Sequence, residues 1–241
     1  MPAVGIAWFE QVNADLPRAN DWLSAAEQDQ LAAFRIAKRR DDRRLGRWTE
    51  QLALAETLSA PRSDLASLEI RPAPGGAPQA YLRNALLPLA ISISHRDGRA
   101  VCAVSETGNA IGCDLELVEP RTDAFIADYF TDSEQALMNS LLADQRFAAV
   151  AILWSAKESA LKALGEGLRM TTHSVIVAQH SLDTIAALDL TASPHLDDWR
   201  PLTVVAATTG RTFTGAWQQH ENVVRTFVIG SWPMRLTATH S

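Results

Sequence analysis

Cysteine and lysine are scarce in this 241-residue chain, and each scarcity narrows what it can be. Two cysteines, Cys102 and Cys113, cannot build a disulfide framework, and neither stands at metal-ligand spacing from another Cys or His. Both lie among apolar neighbours, where a buried free thiol in a reducing compartment is expected. No apolar run approaches the ~20 residues of a membrane-spanning helix. The opening stretch MPAVGIAWFEQVNADLPR has neither the basic start nor the long apolar core of a signal peptide. The expectation is a cytoplasmic protein with no membrane partner. Basic residues are not in excess either. With a net charge of −6 the chain as a whole is unsuited to nucleic acid, and any anion site must be a local cluster.

Lysine occurs only at Lys38, Lys157 and Lys162, the last two close together. What is present is a globular composition, 47% hydrophobic and 21% charged. That suffices for one large domain or two of roughly 120 residues. Val4–Val12 has strand character. Ser24–Ser59 reads as helical, with a capping box at Ser24 and Glu27, Pro61 just past its end, and a break expected within Lys38–Arg44. Arg71–Pro78 is a loop by its Pro and Gly content. Three alternating segments follow, Leu89–His95, Arg99–Ser105 and Ala110–Val118, joined by turns at Asp97-Gly98 and Glu106–Asn109, and they suggest one antiparallel meander. Asp132–Leu142 and Arg146–Leu164 have helical spacing, the latter stopping at Gly165. SVIVA, PLTVVAATT, RTFTGAWQQ and NVVRTFVIGS then return the chain to strand.

Four groups of residues could carry chemistry, and each has an ordinary structural reading beside it. In Gly112-Cys113-Asp114-Leu115-Glu116, strand alternation puts Asp114 and Glu116 on one face, about 7 Å apart, with Cys113 and Leu115 on the other. Two carboxylates so held suit a hard cation such as magnesium, although a half-buried strand with a polar outer face has the same pattern. In Trp154-Ser155-Ala156-Lys157-Glu158-Ser159-Ala160-Leu161-Lys162, helical spacing groups Ser155, Glu158 and Lys162, with Trp154 and Leu161 towards the other side. Glu158 and Lys162 by themselves are an ordinary i,i+4 ion pair. Ser94 and His95 end the first meander strand, which would bring His95 within ~10 Å of Glu116; a lone histidine there is usually a surface residue. Finally Arg35, Lys38, Arg39, Arg40, Arg43, Arg44 and Arg47 form a basic run. Such a run is usually a solvated helix face, but its density in an acidic chain makes an anion or phosphate site credible.

The order of these features (basic run, Gly-rich loop, SxSH, GxDxE, WxxKExxxK) resembles the surfactin-activating branch of the 4′-phosphopantetheinyl transferases, from about Phe34 to Leu168. The resemblance implies an α+β fold of two similar halves, a pseudo-dimer with the active site between them. The division falls near Val118–Arg121, giving 1–118 with the basic run, SxSH and GxDxE, and 119–241 with the KExxxK helix. It also implies a monomer.

It further implies transfer of the phosphopantetheine arm of coenzyme A to a serine of an acyl or peptidyl carrier protein, releasing 3′,5′-ADP. Asp114, Glu116 and Glu158 would hold magnesium, with manganese able to substitute. Glu158, or Glu116 through water, would take the serine proton, and Lys162 would stabilise the transferring phosphate. Lys38, Arg39, Arg40, Arg44, Ser94, His95, Lys157 and Lys162 would bind coenzyme A. Where surfactin-type members often carry Gly-Lys-Pro, this chain reads Gly76-Ala77-Pro78, so one phosphate-binding lysine is absent. The competing readings are a non-catalytic homologue that binds coenzyme A or a carrier, and a magnesium-dependent phosphohydrolase.

Overall fold

The computed structural model describes residues 4–105, 109–165, 169–189 and 198–230, and the backbone alone of 234–238. The chain divides into two compact units, Pro2–Asn109 with Arg235–Ser241, and Ala110–Met234.

The N-terminal unit runs β1 (Val4–Val12), α1 (Ala25–Ala32), α2 (Ala37–Thr57), β2 (Leu68–Pro72), β3 (Pro78–Leu82), β4 (Ala85–Leu86), β5 (Ala90–Arg96) and β6 (Arg99–Ser105). Helix α1 starts on the expected capping box: the Ser24 hydroxyl accepts from the Glu27 amide, and Glu27 Oε2 accepts from the Ser24 amide at 3.1 Å. The helical stretch breaks at residues 33–36, earlier than expected. The charged Lys38–Arg44 run is itself helical, because Arg and Lys are good helix formers. Its start is exposed, whereas Leu45–Ala55 is buried without interruption and carries α2 across the sheet. Trp48, Leu52 and Leu54 pack there with Phe9, Cys102 and Val104. Within Arg71–Pro78, expected as a loop, residues 73–77 form the turn of a hairpin and only the ends are strand: β2 and β3 pair from Leu68↔Leu82 to Pro72↔Pro78. Asp97 (φ 48°) and Gly98 (φ 71°) make the tight β5–β6 turn that Asp-Gly favours.

The C-terminal unit runs β7 (Ile111–Leu117), α3 (Asp123–Tyr129), α4 (Asp132–Ser140), α5 (Ala143–Ala163), β8 (Val175–Val177), α6 (Gln179–Ala186), β9 (Arg200–Ala206), β10 (Thr212–His220) and β11 (Val223–Ile229); β12 (Met234–Ala238) returns to pair beside β1. The expected third meander strand does not follow β6. In the N-terminal unit the sheet order is β12-β1-β6-β5, while β7 heads the sheet β7-β11-β10-β9-β8 and pairs along its whole length with β11. The units therefore meet in sequence at Asn109–Ala110, and GxDxE belongs with the KExxxK helix rather than with residues 1–118. Within the expected turn at Glu106–Asn109, residues 106–108 lie outside the described residues.

Both units are α+β, with one 21-residue helix on an antiparallel sheet, as expected. Their likeness extends to single residues. Thr131 and Glu134 repeat the capping box of Ser24 and Glu27. Trp48 and Trp154 occupy the same position counted from the start of each long helix. Gln51 Nε2 reaches the carbonyl of Leu68, the first residue of β2, and Lys157 Nζ reaches that of Val175, the first residue of β8. Among the described residues no helix is long and apolar enough to cross a membrane.

Candidate active site

The site begins with a glycine. A Cβ on Gly112 would come within 1.8 Å of the Ser159 carbonyl oxygen, so only glycine allows the α5 backbone to lie directly on β7. Ser155 and Ser159 bond Thr226 Oγ1 of β11 at 2.9 and 2.6 Å, fastening the helix to the next strand. Alternation along β7 then turns Asp114 and Glu116, like Gly112, towards α5. This face is no solvated outer face: Asp114 is buried and Glu116 half-buried.

Helix α5 answers with a stripe of residues four apart, Trp154, Glu158 and Lys162. Lys162 Nζ donates to Asp114 Oδ1 at 2.8 Å and to the Cys113 carbonyl at 3.0 Å. The Trp154 indole N–H donates to Glu116 Oε1 at 3.1 Å. Arg121 Nη2 donates to the other oxygen, Glu116 Oε2, at 3.3 Å, and pairs with Glu119 at 3.0 Å. Trp154 thus lies on the Glu158 side of the helix, whereas Ser155 turns towards β11. Neither the indole nor Arg121 was expected in the site.

Among the described residues, Glu158 stands between the two pairs without a hydrogen bond or ion pair of its own. Burial disfavours its charge, and the carboxylate of Asp114 adds to that. Lys162 opposes the effect and Glu116 reinforces it, and the pKa is pushed up to about 7. For Lys162, burial works against the ammonium but is outweighed by Asp114, Cys113 and Glu158, which hold its pKa above the ordinary lysine value. The site therefore has two carboxylates matched to cations and a third that binds a proton near neutral pH.

Lys157 does not join this site. It is fully buried, paired with Glu134 at 2.8 Å, and donates to the carbonyls of Thr172 and Val175 at 3.0 and 2.8 Å. Those partners take all three donors of the ammonium, and burial lowers its pKa despite Glu134. Five residues along a helix rotate a side chain by about 140°, so Lys157 and Lys162 cannot serve one ligand. The expected phosphate contact from Lys157 is overturned.

The remaining expected residues lie in the N-terminal unit. Arg39 and Arg40 are exposed, and Lys38 is exposed beside Asp42 at 3.4 Å. Arg44 is stapled to the preceding loop, donating to Asn20 Oδ1 at 2.9 Å and the Pro17 carbonyl at 2.7 Å. Arg47 is buried between Glu27 and Glu50 and holds α1 on α2. Ser94 is buried and His95 exposed, on opposite faces of β5. The expected nearness of His95 to Glu116 required one meander, but β5 and β7 belong to different sheets.

Asp114 and Glu116 both act electrostatically on Glu158. Even so, among the described residues no three His, Cys, Asp or Glu side chains stand grouped as metal ligands. The donors are of the right kind for magnesium: hard oxygens, with the charges of Asp114 and Glu116 both acting against that of Glu158. Magnesium keeps several of its waters and needs only one or two carboxylates. A pocket of about 350 Å³ opens beside Trp154, lined also by Phe125, Tyr129, Met170 and Arg169.

The model of the 4′-phosphopantetheinyl transferase superfamily matches residues 110–223, which include β7, α5 and every member of this constellation. Curated relatives agree. The chain is 35% identical over 82 residues to 4′-phosphopantetheinyl transferase HetI of Nostoc sp., covering 33% of this chain and 34% of that protein. It is 27% identical over 94 residues to 4′-phosphopantetheinyl transferase gsp of Aneurinibacillus migulanus, 39% of each. To a 4′-phosphopantetheinyl transferase of Bacillus subtilis it is 33% identical over 93 residues, 39% of this chain and 41% of the relative. The chain spans about a third to two fifths of the length of these relatives.

Proposed function

We propose that this chain, which belongs through residues 110–223 to the 4′-phosphopantetheinyl transferase superfamily, moves the phosphopantetheine arm of coenzyme A onto a serine of an acyl or peptidyl carrier protein, releasing 3′,5′-ADP. The observation that carries this reading is the clamp between β7 and α5, where Lys162 holds Asp114 at 2.8 Å beside a Glu158 of pKa about 7. A module that only bound coenzyme A or a carrier would have no use for a half-buried carboxylate poised to take a proton at neutral pH.

The steps follow from the three carboxylates and the lysine. Asp114, Glu116 and Glu158 would hold magnesium, which supplies charge neutralisation on the pyrophosphate of coenzyme A. Glu158 would take the proton of the attacking serine through an oxygen that the metal leaves open, since among the described residues no side chain is hydrogen-bonded to either of its oxygens. Glu116 is less suited to that task, with one oxygen bonded to Trp154 and the other to Arg121. The serine oxygen attacks the β-phosphorus, and the bond to the 3′,5′-ADP oxygen breaks. Lys162, held by Asp114 and the Cys113 carbonyl, presents a fixed positive charge to the phosphate oxygens as negative charge redistributes among them. Exposed Arg39, Arg40 and Lys38, with His95, remain the candidates for the phosphates more distant from the reacting atom.

Incubating the protein with coenzyme A, magnesium and apo carrier proteins, followed by intact-mass spectrometry, tests the proposal. Addition of phosphopantetheine to the carrier is expected, and it should be lost on exhaustive metal chelation and return with magnesium or manganese. Hydrolysis of coenzyme A without the carrier would indicate a phosphohydrolase. Binding with no turnover on any carrier of a broad panel would indicate a non-catalytic homologue.

A further inference from the structure

The cations that accompany Asp114 and Glu116 are held differently. Lys162 meets Asp114 at 2.8 Å and is fixed by a second bond to the Cys113 carbonyl. Arg121 meets Glu116 at the longer distance of 3.3 Å, and the same nitrogen, Nη2, lies closer to Glu119, at 3.0 Å. Its guanidinium carbon is 5.2 Å from the centroid of the Phe125 ring, a cation–π distance that offers another resting place. Arg121 also sits just beyond the end of β7, outside the strand that carries Asp114 and Glu116. One cation is therefore built in, and the other already has a second carboxylate and an aromatic face to move to.

We propose that Arg121 is a displaceable internal cation of this site. It neutralises Glu116 while no divalent ion is bound, and it moves onto Glu119 and Phe125 when the ion takes Glu116. Glu119 is then a positioning residue that acts through Arg121, receiving the arginine rather than the metal. Trp154 stays on Glu116 Oε1 throughout and keeps the carboxylate aimed while its other oxygen changes partner. This inference rests on the metal reading given above for Asp114, Glu116 and Glu158.

The test is Mn²⁺ titration of the whole chain with coenzyme A present, followed by the EPR signal of the free ion, so that no turnover is needed. Arg121→Ala removes the competitor, and Mn²⁺ should bind about five- to tenfold more tightly, the scale of one nearby charge partly screened by solvent. Arg121→Gln, which keeps more of the side chain, should do the same. Glu119→Gln leaves Arg121 on Glu116 and should weaken binding several-fold. In the Arg121→Ala background Glu119→Gln should be nearly silent, within about twofold, because its route is gone. Equal weakening by Glu119→Gln in both backgrounds would mean that only overall charge matters and would overturn the proposal. Unchanged or weaker Mn²⁺ binding in both Arg121 variants, with melting temperatures at the wild-type value, would overturn it too, since Arg121 would then support Glu116. Asp114→Asn separates the two levels. If the wild type shows no Mn²⁺ binding that this substitution removes, the metal reading fails and the role of Arg121 falls with it.

Discussion

Replacing Lys162 by Met separates an active-site lysine from a surface ion pair. The change deletes the ammonium that donates to Asp114 Oδ1 at 2.8 Å and to the Cys113 carbonyl at 3.0 Å. Asp114 is left 5% exposed, with Glu158 as a charged neighbour. Removing one partner of a fully buried pair destabilises by about 3–5 kcal/mol. Here the lysine side chain is 24% exposed, so water can enter, and about 2 kcal/mol is the reasonable figure. For a chain of this length that corresponds to a fall in Tm of roughly 4–8 °C. Turnover should fall by ~10²-fold or more, the scale of losing one aimed charge in a phosphate-transfer site. Lys162→Arg keeps the charge but replaces a compact ammonium by a planar fork. It should keep most of the Tm and still lose most of the turnover. Thermal melts combined with kcat for transfer to an apo carrier decide the matter. Wild-type kcat in Lys162→Arg, or a change of only a few tenths of a kcal/mol in Lys162→Met, would refute the reasoning.

Three further outcomes are expected. Glu158 is pushed up to about 7 in the folded chain, above its unfolded value, so its proton stabilises the fold at low pH and that advantage disappears as pH rises through 7. Without metal, Glu158→Gln should gain about 1–2 kcal/mol over the wild type at pH 8, after allowance for solvent screening, and nothing at pH 4; pH-dependent urea unfolding checks this. Lys157→Met leaves the buried Glu134 charge without its cation and should lower stability by ~3–5 kcal/mol, whereas adding Glu134→Gln, which removes the charge but keeps an acceptor for the Thr131 or Val177 amide, should recover part of the loss, measured by denaturant unfolding. Arg39→Ala with Arg40→Ala should raise KM for coenzyme A more than for dephospho-coenzyme A, because only the former carries the 3′-phosphate; equal effects in steady-state assays would place these arginines elsewhere.

Local signals in the sequence carried well, and long-range pairing did not. Ser24 with Glu27 marked the start of α1, Asp97-Gly98 marked the β5–β6 turn, and Gly165 stands just past α5 with φ 77°. Alternation correctly put Asp114 and Glu116 on one face of β7. It is silent about which neighbour a strand chooses, and β7 chose β11, more than a hundred residues later, over the adjacent β6. The direction of that face was also hidden, although Gly112 held a clue: a glycine where a strand expects a side chain marks close backbone approach, here from Ser159. The exclusion of Lys157 from the site was legible in principle, because helical geometry separates it from Lys162 by about 140°. The stripe Trp154, Glu158, Lys162 was legible for the same reason. Arg121 was not, because it follows a Pro in a segment with no periodicity, and its partners are set by where β7 ends. The basic run on α2 showed its composition but not its division into inward Arg44 and Arg47 and outward Arg39 and Arg40.

The most direct measurement is single-turnover transfer from coenzyme A to a competent apo carrier by the wild type, Asp114→Asn and Glu158→Gln, with circular dichroism recorded on each. Both substitutions keep side-chain shape while removing a charge from the clamp between β7 and α5. Transfer by the wild type, a loss of ~10²-fold or more in each variant, and an unchanged fold are expected. Transfer at the wild-type rate by either folded variant would contradict it.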